Sequence, residues 1–376
     1  MYIASLDCSR FRNLETAHIE FSKGFNVFYG DNAQGKSNLL EAVYALAFLK
    51  GFRAEKLSEM IAFGAEGAQL GAEVFEGGHR TRLGVEIHAH TRHAYVDGVN
   101  CTRARDYLGI LRAVLFVPMD VGFLQTSPAE RRSALDRMVF NLRPAYLVDL
   151  DQYQKVCKQK SAVLRQEEPD EKLLDTYDEQ LAGLGERILR SRYAYFEKIS
   201  RHLSEAFGAI FDESFACNPV YKCSTMRNEV RFGGEASIKV EDLVESWHSH
   251  LKNARSREIA RQQITGGPHR DDWTLDLNGI QARYFASQGQ QRSMSLAMKL
   301  AEITCLKKEI GVEPVFLLDD VSSELDPVRH RKLFDCLNGL STQVFLTTTS
   351  KTHVHVESVG RMFRVVSGSV TDETGS

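Results

Sequence analysis

The chain contains no CxxC pair, no apolar run of membrane-spanning length, no marked excess of one charge and no internal repeat. Each absence narrows the field. Seven scattered cysteines, Cys8, Cys101, Cys157, Cys217, Cys223, Cys305 and Cys336, form no pair at metal-ligand spacing and are odd in number, so reduced thiols are expected rather than a disulfide framework. The longest mostly apolar stretch, Val43 to Leu49, falls far short of the roughly 20 residues of a membrane span. The N-terminus, Met1 to Asp7, lacks a basic segment followed by an apolar one, so no secretory signal is visible and a cytoplasmic location is expected. With 47 basic and 50 acidic residues the net charge is −3, which excludes a strongly basic nucleic-acid protein at the whole-chain level and leaves local basic patches open. An apolar content of 43% over 376 residues is ordinary for a soluble globular chain of two or three domains.

Against that background one stretch stands out. Gly30-Asp31-Asn32-Ala33-Gln34-Gly35-Lys36-Ser37 satisfies the GxxxxGK[ST] pattern of a phosphate-binding loop. Glycine lets the backbone curl so that successive N–H groups face phosphate oxygens, Lys36 reaches the β- and γ-phosphates, and the Ser37 hydroxyl can ligate Mg²⁺. Phe25, Val27, Phe28 and Tyr29 read as a buried strand entering the loop. Leu39, Leu40, Val43, Leu46 and Ala47 recur at helical spacing, so a helix dipole adds to anion binding.

Up to Phe116, short apolar runs such as Leu83–Ile87, Tyr95–Val96 and Val114–Val117 alternate with Gly-containing turns and read as strands. At Ser127-Pro128-Ala129-Glu130 a capping box opens a region that reads as helical as far as Phe211. Leu174, Tyr177, Leu181, Leu184 and Ile188 form its stripe, and Glu167-Glu168-Pro169-Asp170 splits it into a hairpin. The arm from Ala145 to Gln166 is expected to be ~33 Å long. Strand character returns at Trp273–Leu277, Val315–Leu318 and Val344–Thr347. The tail from Thr371 to Ser376 is polar.

Downstream, Val315-Phe316-Leu317-Leu318-Asp319-Asp320 is an apolar strand ending in two carboxylates. Beside a phosphate loop, Asp319 is placed to hold Mg²⁺ and Asp320 to orient the attacking water. Ser287-Gln288-Gly289-Gln290 opens another helix, whose backbone N–H groups form a second anion site. Its distance ahead of Asp319 matches the signature of ABC-type ATPases, where the loop of one subunit covers the γ-phosphate held by the other. Ser287, Gln288, Gly289 and Gln290 are therefore expected to complete the site in trans. Val321-Ser322-Ser323-Glu324-Leu325-Asp326-Pro327 looks like the D-loop of that class. Thr347-Thr348-Thr349 stands where transporter ATPases carry a switch His, with His353 and His355 several residues on; a Thr hydroxyl can hydrogen-bond phosphate or water but is no base near neutral pH. Gln69 is the candidate for a Q-loop residue.

This order, with the phosphate loop early and the signature and acidic strand beyond residue 285, splits an ATPase head around a short helical insertion. It resembles the RecF family over essentially the whole chain. Phe11-Arg12-Asn13-Leu14, Asn38-Leu39-Leu40-Glu41-Ala42, Phe116-Val117-Pro118-Met119-Asp120, Ser127-Pro128 with Arg131-Arg132 and Leu135-Asp136-Arg137, Gly267-Pro268-His269-Arg270-Asp271-Asp272 and the Asp319–Asp326 segment carry the resemblance. Lys160-Ser161 and Gly51-Phe52-Arg53 depart from the family pattern at positions expected to lie outside the nucleotide chemistry. The resemblance implies an α/β, SMC/ABC-type P-loop ATPase head with a split sheet core and an inserted helical lobe. Its parts are residues 1–118 and 263–376 of the head, with 119–262 as the lobe. It implies ATP and Mg²⁺ as cofactors, with Lys36 and Asp320 as catalytic residues and Ser37 and Asp319 as Mg²⁺ ligands. It further implies an ATP-dependent homodimer that binds DNA at gaps and single-strand/double-strand junctions, hydrolyses ATP slowly under DNA stimulation, and works with RecO- and RecR-type partners. The role would be loading a recombinase in DNA repair, replication restart and the SOS response. Alternatives are a nucleotide-gated DNA-binding scaffold with incidental hydrolysis, or another SMC-like or ABC-type ATPase.

Candidate DNA contacts form three groups: Lys252, Arg255, Arg257 and Arg261 ahead of Arg270; Arg80, Arg82, Arg103, Arg105 and Arg112; and Arg187, Arg190 and Arg192. The residues do not choose among them, since phosphate contacts need no motif. His88, His90 and His93 lack a Cys or carboxylate at ligand spacing, which argues against a metal site there.

Overall fold

Two hydrophobic periods alternate along the chain, and each becomes one kind of layer. The computed structural model describes residues 1–234, 238–320, 327–351, 354 and 359–374. Its strands are β1 (Tyr2–Phe11), β2 (Leu14–Glu20), β3 (Phe25–Tyr29), β4 (Gly67–Glu76), β5 (His79–His88), β6 (Arg92–Val96), β7 (Val99–Asn100), β8 (Ala113–Phe116), β9 (Cys217–Lys222), β10 (Val230–Arg231), β11 (Asp272–Leu277), β12 (Ile280–Gln281), β13 (Val315–Leu318), β14 (Val344–Thr348), β15 (Val359–Val366) and β16 (Ser369–Asp372). The helices are α1 (Lys36–Phe48), α2 (Pro128–Leu142), α3 (Tyr146–Val163), α4 (Glu171–Ile210), α5 (Val240–Asn253), α6 (Arg255–Arg261), α7 (Ala282–Phe285), α8 (Gln288–Ile310) and α9 (Pro327–Asn338).

The chain divides into two units. The first is Met1–Val121 with Ala209–Phe211 and Glu302–Ser376; the second is Gly122–Gly208 with Asp212–Ala301. The sequence suggested a boundary at 262, but residues 263–301 group with the second unit. The reason is β11, which pairs antiparallel with β9 from Asp272↔Lys222 to Leu277↔Cys217.

The first unit holds two sheets. One is antiparallel, in the order β2-β1-β4-β5-β6-β7, and its strands alternate buried and exposed side chains. Ile3, Leu6, Leu70, Val74, Leu83 and Val85 share a core with Leu39, Leu40, Val43 and Leu46 of α1. The other sheet runs β16-β15-β3-β14-β13-β8 and is parallel except for β16. Its inner strands are apolar throughout, as strands covered on both faces must be: Val315–Leu318 and Val344–Leu346 are fully or almost fully buried. Gln343, at the entrance to β14, accepts from Ile3 N at 2.7 Å and donates to Ile3 O and Ser22 O, tying the two sheets of this unit together. Because β3, β14, β13 and β8 run the same way, the residues that follow them emerge on one edge, where α/β sheets bind ligands.

In the second unit the capping box forms as read. Ser127 Oγ accepts from Glu130 N, and Glu130 accepts from Ser127 N at 2.8 Å. The hairpin break lies between α3 and α4, and α4 runs for 40 residues, ~60 Å, well beyond the length of the first arm. The Gly267–Asp272 motif is the hub of this unit. Arg192, 1% exposed, donates to Pro268 O at 2.8 Å and to Asp136 Oδ1 at 2.8 Å. Asp271 accepts from Tyr221 OH and from Ser224 N, and Asp272 forms a two-pronged pair with Arg131 at 2.7 and 2.9 Å. Arg192 is thus a structural cation and not one of the surface DNA contacts considered above.

Candidate phosphate-binding site

The loop Gly30–Ser37 joins the end of β3 to the start of α1. Gly35 caps the helix in the left-handed region at φ 111°, and a Cβ there would stand 2.7 Å from Asn13 Oδ1, so glycine is required twice over. Asp31, Asn32 and Ala33 at the loop apex are exposed, while Gly35 and Lys36 are buried at its base. Lys36 Nζ folds back over the loop and donates to Gly30 O and Asp31 O, both at 2.7 Å. Burial lowers the Lys36 pKa, and Asp320, Asp319 and Asp31 oppose that shift.

The loop is clamped from outside. Asn13, in the turn between β1 and β2, donates to Gln34 O at 3.2 Å and accepts from Asn38 Nδ2 at 2.7 Å. The turn between β15 and β16 grips the same residue: Ser367 N donates to Gln34 Oε1 at 2.7 Å and Gly368 N to Gln34 O at 2.8 Å. Gly368 stands at φ 82°, and a Cβ would lie 2.1 Å from Asn13 O.

The acidic strand arrives from β13. Ser37 Oγ donates to Asp319 Oδ1 at 2.7 Å, across 282 positions of sequence. Thr347 Oγ1, at the end of β14, donates to the same oxygen at 2.8 Å and accepts from Asp320 N at 2.9 Å. Thr347, one of the three threonines at the end of this strand, is therefore tied to both carboxylate residues. Asp320 itself sits at φ 45°, a backbone conformation rare outside glycine.

The Gly51-Phe52-Arg53 segment, expected to lie away from the phosphate loop, reaches the acidic strand through Arg53. Arg53 Nη2 donates to Asp319 Oδ2 at 2.8 Å. The backbone N–H groups of Arg53 and Ala54 donate to Glu41 Oε1 at 2.9 and 3.3 Å, while Arg12 Nε donates to Glu41 Oε2 at 2.8 Å. Arg53 had no signal of its own in the sequence, because the fold alone brings it to Asp319.

Ser37 and Asp319 are hard oxygen donors side by side, the chemistry suited to Mg²⁺. The loop, Lys36, Asp319, Asp320 and Thr347 all belong to the first unit. Ser287, Gln288, Gly289 and Gln290 belong to the second. There Ser287 Oγ accepts from Gln290 N at 3.2 Å and Gln290 Oε1 accepts from Ser287 N at 2.9 Å, a capping box at the start of α8. Gln69 lies in mid-strand on β4, exposed, opposite Ser9 and Glu86. The D-loop reading at residues 321–326 lies outside the described residues, as do His353 and His355. Of the basic groups, Arg80 and Arg82 pair with Glu73, Arg187 with Asp149, Arg190 with Glu186 and Glu241, and Arg255 with Asp175 and Asp178.

The family model of the RecF/RecN/SMC N-terminal domain matches residues 2–371. The "DNA replication and repair protein RecF" of Geobacter sp. (strain M21) is 37% identical over 99% of this chain and 100% of its own length. The protein of the same name from Streptococcus suis (strain 05ZYH33) is 33% identical over 99% and 100%. A solved structure of "the recombination mediator protein RecF-ATPrS in RecFOR pathway" covers 99% of this chain and 98% of that one, with 31% identity and a TM-score of 0.87. An SMC head bound to the C-winged helix domain of ScpA, 17% identical, covers 99% and 97% with a TM-score of 0.57 and shares the fold.

Proposed function

We propose that this chain, which belongs to the RecF family of the RecF/RecN/SMC N-terminal domain group, binds ATP with Mg²⁺ at Gly30–Ser37 and forms an ATP-dependent homodimer on DNA gaps and junctions. The observation that carries the reading is the 2.7 Å contact between Ser37 Oγ and Asp319 Oδ1, which joins the phosphate loop to the acidic strand at the carboxyl edge of a parallel sheet. In this reading the loop N–H groups and Lys36 hold the phosphates, and Ser37 and Asp319 hold the ion. Bound there, Mg²⁺ would offset phosphate charge. Asp320 orients water for a slow hydrolysis. A second copy supplies Ser287, Gln288, Gly289 and Gln290 to close the site.

A net charge of −3 suits DNA binding that depends on pairing two modest basic patches rather than on one strongly basic surface. The names of the relatives, DNA replication and repair proteins, support a role in recombinational repair and replication restart, in the cytoplasm. The RecFOR description of a neighbour supports RecO- and RecR-type partners. The test is gel filtration with ATP, with ADP and without nucleotide, each with and without gapped DNA. A dimer is expected with ATP alone, and a larger complex when gapped DNA is added. A monomer under all conditions would sink it.

A further inference from the structure

We propose that Arg53 is a built-in counter-cation for Asp319: it holds the carboxylate in the metal-free state and yields it to Mg²⁺, so that metal loading must displace an internal ion pair. The inference deepens the nucleotide-site reading and rests on it. Asp319 has 2% of its side chain exposed, and a carboxylate so placed needs donors and a counter-charge. Its Oδ1 takes two hydroxyls, from Ser37 and Thr347, and its Oδ2 takes the guanidinium of Arg53 at 2.8 Å. Lys36, the other cation of the site, donates instead to two loop carbonyls.

The arrangement is built to release. The Arg53 backbone is fixed, because its N–H is bonded to Glu41, which is 0% exposed and held from its other oxygen by Arg12. Gly51 lets this segment lie close against Glu41, where a Cβ would stand 2.6 Å from Oε1. The Arg53 side chain, by contrast, is 48% exposed. A pinned backbone with a half-solvated head group places a cation on the carboxylate while leaving water available to receive it. Ser37 and Asp319 are also the residues that would ligate the ion, so the guanidinium and Mg²⁺ draw on the same carboxylate.

The experiment titrates Mg²⁺ against binding of a fluorescent ATP analogue to the full chain, for wild type, Arg53→Ala and Arg53→Lys. Arg53→Ala is expected to lower the half-saturating Mg²⁺ concentration by about 3- to 10-fold, with affinity in EDTA unchanged and Arg53→Lys nearer to wild type. An unchanged or raised Mg²⁺ requirement overturns the proposal. So does a loss of affinity in EDTA, which would make Arg53 a phosphate ligand instead. A second measurement stands apart from the nucleotide reading: thermal unfolding of Arg53→Ala, Asp319→Asn and the double variant without nucleotide or metal. Losses in Tm that fail to add support the ion pair, and additive losses overturn it. If the ion pair holds and wild type binds no nucleotide, the fault lies with the site reading and the displacement proposal falls with it.

Discussion

Ser37 Oγ and Asp319 Oδ1 are 2.7 Å apart, although 282 positions separate them in the chain. The distance is set by sheet order: β14 lies between β3 and β13, and all three run parallel, so the phosphate loop and the acidic pair leave the same edge. Thr347, at the end of β14, fills the gap between them with a hydrogen bond to each carboxylate residue.

Asp320→Asn separates an ATPase from a scaffold. The change keeps size and removes the charge proposed to orient water. Nucleotide binding and ATP-dependent dimerisation are expected to persist while turnover falls by about 10²-fold or more. Phosphate release and gel filtration on one preparation check this. Gap binding that survives without turnover favours the scaffold alternative over an obligatory ATPase.

Ser287→Arg addresses the joint between copies. Ser287 caps α8, and in the trans reading it meets the phosphate loop of a second copy, so a bulky cation there is expected to obstruct pairing of two subunits. ATP affinity is expected to match wild type, with ATP-driven dimerisation lost in light scattering. Retained dimerisation contradicts closure of the site in trans.

Gly368→Ala tests the clamp on the loop. The left-handed conformation costs a non-glycine residue about 1–2 kcal/mol, and the added Cβ meets Asn13 O at 2.1 Å. The β15–β16 turn should lift from Gln34, giving a lower Tm and an ATP affinity reduced several-fold. Calorimetric melting with and without ATP reads both effects. A variant that melts and binds like wild type contradicts the clamp.

His269 gives the second unit a pH dependence. Its pKa is lowered from 6.5 to about 3, by burial first and then by Arg270, Arg132, Arg192 and Lys160, and it hydrogen-bonds Tyr153 OH at 2.8 Å. Between those two values the unfolded chain binds a proton that the folded one refuses, so stability falls as pH drops below 6.5 and is fully present above it. Burial raises the Asp271 pKa, which acts in the opposite sense, so the comparison must be with His269→Gln. Wild type should lose up to about 1.4 kcal/mol per pH unit relative to that variant between pH ~6 and ~4, measured by urea unfolding. A pH-independent difference contradicts a buried neutral imidazole.

The phosphate loop was legible because its chemistry forces a local spacing, and the strands around it because apolar runs such as Val315–Leu318 must be covered on both faces. What escaped was made by topology. Nothing near Arg53 in sequence announces Asp319, and nothing in Ser367-Gly368 announces Gln34; each pairing exists because distant strands share an edge. The Gly267–Asp272 motif was visible as a pattern, but its work of holding Arg192, Tyr221 and Arg131 inside the second unit appears only when β11 is seen beside β9. Arg192 shows the converse error. An arginine on a helix read as a surface cation, yet the hub around it buries it.

The central claim, that Gly30–Ser37 with Asp319 is a Mg²⁺-nucleotide site, is tested most directly by isothermal titration of Mg·ATP into wild type and Lys36→Ala. Lys36 Nζ now donates to Gly30 O and Asp31 O, and it is expected to exchange those carbonyls for phosphate oxygens. Saturable one-to-one binding is expected for wild type, with a loss of at least about 10-fold in the variant, or roughly 1.4 kcal/mol. Equal affinity in the two proteins would contradict it.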